Sequence, residues 1–227
     1  MRPHHRHRWT TATTLTLAVG AALLALVGCA GDDDDDPGVS VPVEDVAPVL
    51  DWRTLPDEPV QHEGWTFGSC GGTAPIVCVA GASGDGTVEL LEYEVDDVEV
   101  VAETLDETGD EQAALEAFSE EYVATFSLSR PQECPGTSVV ADVPEALVVG
   151  GSPGLRYGFQ VRDESGAVVE RSVQWATIDG GALLVAAAGA IDPARACLEP
   201  IGEFTPATLE AALPAIDDVI AASTLRR

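Results

Sequence analysis

From Gly154 to Ala188 side-chain character changes at every second position, a period that only extended strands satisfy. Leu155, Tyr157, Phe159 and Val161 alternate with polar or small residues, and Asp163-Glu164-Ser165-Gly166 turns the chain back. Val169, Val173 and Trp175 then sit on a second strand with Glu170, Ser172 and Gln174 between them, and Asp179-Gly180-Gly181 leads into a third from Ala182 to Ala188. Such a meander must be antiparallel and must bury at least one face. Upstream, Trp65 to Ser69 and Ile76 to Ala80 read as a pair of short strands. Ser83-Gly84-Asp85-Gly86 turns into a longer one, Thr87 to Val95, rich in strand formers.

Two segments follow the helical period instead. Thr108 with Glu111 has the spacing of a capping box, and Leu115, Phe118, Tyr122 and Phe126 then share a face opposite Glu116, Glu120 and Glu121. The stretch around Cys134 reads as a loop. Thr205-Pro206 opens a last helix, with Thr as cap and Pro in its first turn, and Leu209, Leu213, Ile216 and Ile220 share its face. Pro214 is expected to kink or divide that helix. Residues 49–227 therefore predict one α+β domain, an antiparallel sheet flanked by helices, long enough for a proper core.

The N-terminus has a different logic. Arg2, Arg6 and Arg8 precede an apolar run from Leu15 to Val27, and no acidic residue occurs before Asp32. The run is shorter than the ~20 residues of a stable spanning helix. It ends in Leu26-Val27-Gly28-Cys29, which resembles the lipobox of a bacterial lipoprotein signal peptide. The resemblance implies that residues 1–28 are a signal peptide cut off before Cys29. It also implies that the Cys29 sulfur carries a diacylglycerol and that the mature chain sits on the outer face of the cytoplasmic membrane. At about 0.8 kcal/mol per buried CH₂, two or more acyl chains hold such an anchor where one does not. Residues 29–48, with the acidic run Asp32 to Asp36 and Pro37, Pro42 and Pro48, read as an extended tether. That run is no calcium loop, because Pro37 stands where an EF-hand needs Gly and Val43 where it needs Glu.

Four cysteines remain after Cys29: Cys70, Cys78, Cys134 and Cys197. An exported chain sits where an even set pairs as disulfides, and three pairings are possible. Gly71-Gly72-Thr73-Ala74-Pro75 reads as a turn joining Cys70 to Cys78, which favours that pair together with Cys134 and Cys197. Chain entropy makes the short loop worth about 2.5 kcal/mol and the long one about 4. The spacings are too wide for a zinc site, and no metal is expected.

The 11 cationic residues, all Arg, face 39 acidic ones, and none occurs from Thr54 to Ser129. A nucleic-acid binder needs a basic patch, as does a protein drawn to anionic headgroups, so both partners are excluded. Membrane affinity must come from the lipid on Cys29.

Hydrolase chemistry finds thin support. Gly150-Gly151-Ser152-Pro153-Gly154 matches the G-x-S-x-G string, but Pro153 has no amide hydrogen for an oxyanion hole and a strand follows instead of a helix. His62 is the only histidine left after cleavage, so an envelope hydrolase, the alternative function, would have to use it. No phosphate loop or dinucleotide fingerprint occurs, and no cofactor is expected.

The order of strand pair, long strand, helix, meander and terminal helix is similar to the PsbP-like fold. The likeness runs from Gly154 to about Ser223, through Tyr157 and Phe159, Glu170-Arg171-Ser172, the Asp179-Gly180-Gly181 turn, an apolar strand and the last helix. It implies an α/β/α sandwich and a binding or accessory module without catalysis. The expectation is thus a lipid-anchored, non-catalytic envelope protein with one of two kinds of partner. A small apolar molecule would need a cavity of several hundred Å³, lined by residues such as Tyr157, Phe159 and Trp175. A protein partner would dock on exposed sheet or on an acidic face, above a filled core.

Overall fold

Among the described residues nine strands, every pair of them antiparallel, form one sheet, because the final strand of the C-terminal meander hydrogen-bonds to the last strand of the N-terminal hairpins. The computed structural model describes residues 58–71, 75–194 and 204–225. The expected signal peptide, Cys29 with its expected lipid, the expected tether and Cys197 lie outside the described residues.

Strands β1 (Val60–His62), β2 (Trp65–Ser69), β3 (Ile76–Gly81) and β4 (Gly84–Glu94) form successive hairpins. Helices α1 (Glu99–Thr108) and α2 (Glu111–Glu133) cross over, and β5 (Ser138–Ala141) and β6 (Glu145–Val149) follow. The meander is β7 (Ser152–Arg162), β8 (Val168–Asp179) and β9 (Ala182–Ile191), and α3 (Pro206–Ala221) ends the fold. The strand order is β1-β2-β3-β4-β9-β8-β7, with β5 and β6 sharing the outer edge of β7 on either side of Asp142-Val143-Pro144. The expected strand pairs, meander and two helical stripes are all present.

Period two sorts the layers. Leu155, Tyr157 and Phe159 face α1 and α2, whereas Trp175, Val173 and Ala186 face α3. Leu209, Leu213, Ile216 and Ile220 of α3 are buried against that second face, which also takes Phe67, Val77, Val88 and Leu90 from the N-terminal hairpins. Fully burying one such side chain stabilises by about 1.5–3 kcal/mol, so α3 is held by packing more than by propensity. Among the described residues no helix is long and apolar enough to cross a membrane.

Four local expectations are corrected. Gly84, Asp85 and Gly86, expected in a turn, open β4 and pair with Gly81, Ala80 and Val79 of β3, so the turn is at Ala82-Ser83. The cap of α2 is Asp110, whose carboxylate accepts from the amides of Gln112 (2.9 Å) and Ala113 (3.3 Å), not Thr108. Thr108 instead closes α1, which the sequence pattern did not separate, and Gly109 at φ 67° stops that helix with a left-handed residue. The stretch around Cys134, expected as a loop, is the end of α2, which runs through Pro131 to Glu133 with Cys134 as its C-terminal cap, and the short edge strands β5 and β6 follow. Pro214 does not divide α3, which runs unbroken across it. Its ring points to solvent while Leu213, Ala215 and Ile216 beside it stay buried, so one lost hydrogen bond is outweighed by the packed face. The Thr205 cap is as expected, with reciprocal bonds between Thr205 and Thr208.

Candidate functional site

The aromatic stripe of α2 lies on β7 and is core. Phe126 stacks on Phe159 with ring centres 4.9 Å apart, Tyr122 meets Tyr157 edge-on at 5.8 Å, and the Arg130 guanidinium covers Phe126 at 4.7 Å. The polar tips are satisfied: the Tyr157 hydroxyl donates to Gln174 Oε1 at 2.5 Å, and that of Tyr122 bonds Ser172 Oγ at 3.2 Å. Burial pushes the Tyr122 hydroxyl up to about 12, against the pull of the Ser172 bond, so it stays protonated. At the end of the stripe Arg130 Nη2 donates to Glu170 Oε1 at 2.9 Å. Burial still holds that carboxyl above its ordinary range, because desolvation exceeds what Arg130 returns.

Beyond α2 no described residue forms a covering layer on the same face of the sheet. Register places Thr87, Glu89, Ala187 and Gly189 in neighbouring positions of β4 and β9 on this side, next to Ile76, Cys78 and Ala80 of β3. Cys78, Ala80 and Glu89 are exposed, and Thr87, Ala187 and Gly189 half-buried. A Cβ added at Gly189 would meet nothing within 4 Å. Where this strip meets α2 there is a groove of about 150 Å³, with Thr87, Ala187 and Gly189 on its floor, Tyr122, Phe126 and Arg130 on one wall, and Glu89 and Glu170 closing it. The sequence signal for the strip was the small-residue run Ala186-Ala187-Ala188-Gly189 in β9, which builds a flat floor and which a search for chemistry-bearing residues passes over.

The expected pocket residues are not brought together. Tyr157, Phe159 and Trp175 are 1 %, 0 % and 0 % exposed, and Trp175 lies on the opposite face. Register pairs Trp175 with Arg156 and Tyr157 with Gln174, so the two aromatic positions point to different layers. The Trp175 indole N–H donates to Asp217 Oδ1 at 2.7 Å, and Arg156 donates to the other oxygen of that carboxylate. An open depression of about 560 Å³ does exist near the start of α3, between Arg162, Arg171 and Glu210, but none of the three aromatics lines it. Arg171 is already bonded there to Asp142 and Glu210.

Gly150 and Gly151, at φ 56° and 88°, are the tight turn between β6 and β7, and Ser152 begins a strand. The Pro153 carbonyl accepts from the Thr177 hydroxyl at 2.7 Å. His62 is buried, with Nε2 2.9 Å from Asp218 Oδ2 and Nδ1 without a hydrogen-bond partner among the described residues. Cys70 and Cys78 are joined as a disulfide across the β2–β3 hairpin. Cys134 is disulfide-bonded as well, and its expected partner, Cys197, lies outside the described residues.

No protein-family model matches the chain, and no curated protein sequence does. Among solved structures the chain is similar to cyanobacterial PsbP (CyanoP) from Synechocystis sp. PCC 6803, at 11 % identity and a TM-score of 0.38, over 82 % of this chain and 96 % of that one. It is also similar to a Pseudomonas aeruginosa protein of unknown function, at 13 % identity and a TM-score of 0.37, over 75 % of this chain and 97 % of that one.

Proposed function

We propose that this chain is a lipid-anchored, extracytoplasmic accessory protein without catalysis, which docks a protein partner on the strip of β3, β4 and β9 beside α2. The observation that supports it is the division of the sheet. The face under α3 is filled, Tyr157, Phe159 and Trp175 are sealed from solvent, and the strip is the part of the sheet surface left without a covering layer among the described residues. A groove of 150 Å³ is well below the ~300–1,000 Å³ of sites that enclose a small molecule. A flat floor of small side chains suits another protein surface, and the exposed acids of β4 and the helices beside it favour a partner that brings Lys or Arg.

The anchor and the docking face are tested separately. Metabolic labelling with a fatty-acid probe should mark the intact protein and not its Cys29→Ser variant; an unmarked wild type removes the anchor. Photo-crosslinkers placed at residues 80 and 187 on intact cells should trap one protein that a crosslinker at Leu128, on the outer side of α2, does not. Identical adducts from all three positions would refute the docking face.

A further inference from the structure

The hairpin of β1 and β2 turns through Glu63 and Gly64, both left-handed at φ 47° and 80°, and so sets Glu63 beside His62 at the tip. His62 reaches toward α3, where Asp218 stands on the exposed side of the helix. One ligand atom from each of His62, Glu63 and Asp218 lies within 4.8 Å of the others. The imidazole is 8 % exposed, whereas Asp218 is 55 % exposed and Glu63 is on the surface. A rigid nitrogen is thus presented to two carboxylates with room to adjust.

The second observation is Nδ1, which has no hydrogen-bond partner among the described residues. In an ordinary buried histidine a donor at one ring nitrogen fixes the proton on the other. In the ion-free protein the ring donates Nε2–H to the Asp218 carboxylate, and because no described residue donates to Nδ1, that nitrogen is free to take the proton when an ion claims Nε2. With the proton on Nδ1, the Nε2 lone pair faces two anionic groups, an arrangement that a cation between them would stabilise.

We propose that His62, Glu63 and Asp218 bind a divalent ion of the zinc class, with water completing the coordination. One imidazole and two carboxylates suit zinc and its neighbours, while calcium and magnesium prefer all-oxygen sites. Binding forms the Nε2–metal bond and moves the ring proton from Nε2 to Nδ1, with no change in the charge of the ring. That N–H has no acceptor among the described residues, in contrast to the supported histidines of tight sites, so the affinity is modest. The bound ion staples the β1–β2 hairpin to α3. The inference does not depend on the docking face.

The test uses the full chain in detergent, with His4, His5 and His7 replaced by Ala in every sample, so that a His-rich tract does not compete for the metal. Calorimetric titration with zinc chloride, in millimolar magnesium to occupy the surface acids, should give one site. Glu63→Gln and Asp218→Asn, both at exposed positions that leave the core intact, should each weaken it by at least about tenfold, and His62→Gln should abolish it. Imidazole ¹⁵N shifts should show the His62 proton moving to Nδ1 as zinc is added. Absence of the site, unchanged affinity in both carboxylate variants, or a His62 spectrum indifferent to zinc would each overturn the proposal.

Discussion

Gly86 lies beneath the ring of Phe204, and the contact sets a measurable limit on substitution. A Cβ built on Gly86 would sit 2.0 Å from Phe204 Cδ2 and 2.2 Å from Cγ, well inside the ordinary carbon contact of ~3.5–4 Å. The ring has little freedom to withdraw: it is 2 % exposed and abuts Trp65 edge-on with ring centres 6.4 Å apart. Gly86→Ala should therefore fall at the upper end of the 1–3 kcal/mol typical of overpacking. Removing a strand glycine returns about 0.5–1 kcal/mol, which leaves a net loss of about 2 kcal/mol. Phe204→Ala alone should cost about 3–5 kcal/mol by opening a cavity. In the double variant the new methyl occupies space the ring has vacated, so the pair should cost no more than Phe204→Ala alone, a favourable coupling of about 2 kcal/mol. Urea unfolding of the four proteins, followed by tryptophan fluorescence and accepted only where the slopes agree, gives the cycle. Losses that add to within ~0.5 kcal/mol would refute the close approach of ring and strand.

The Cys70–Cys78 bond closes a separation of eight residues, so replacing both cysteines by Ser should cost about 2.5 kcal/mol, and an unchanged urea midpoint would count against it. Burial raises Glu170 and Asp217 above the usual carboxylate range, with Arg130 pulling the first down and Trp175 and Arg156 the second. A carboxyl raised on folding imposes no penalty below its unfolded value and its full penalty above its folded one, so this contribution to stability declines as pH rises between the two. Subtracting the Glu170→Gln profile should isolate that decline, and a flat difference would show the carboxyl to be unshifted. Pro214→Ala adds an amide at an exposed point of an unbroken helix and should stabilise the protein, by up to about 3 kcal/mol in thermal or urea unfolding; a lower midpoint would mean that the helix needs its proline. Asp110→Ala should lose about 1 kcal/mol as a removed cap, and Thr108→Ala clearly less, so the reverse order in urea titrations would restore Thr108 as the cap of α2.

What could be read from the chain was whatever repeats locally. Leu155 to Val161 keeps period two and Leu115 to Phe126 keeps the helical period, so both elements and their buried sides were legible. Alternation, however, sorts faces only within a strand. Whether Trp175 shares a layer with Tyr157 depends on the register of β8 against β7, which no local pattern carries. The same limit hid the pairing of β4 with β9, and with it the strip beside α2, as well as the meeting of His62 with Asp218 across 156 residues. Helix α1 was missed because Val95, Val98, Val100 and Val101 carry the β-branched character of β4 on into it, although Val98, Val100, Val101 and Leu105 pack on the core.

The two margins of the sheet bear on how copies behave when crowded together. An outermost strand with free amides and carbonyls is a template on which a neighbour can polymerise. On one side that template is just three residues long, Val60–His62. On the other it is broken midway by Pro144, with the Asp142 carboxylate drawn inward to Arg171, so the exposed Val140, Val143 and Val148 never form a continuous apolar ribbon. Among the described residues neither rim offers a run on which fibrils could seed, so high local density should leave the folded molecules dispersed.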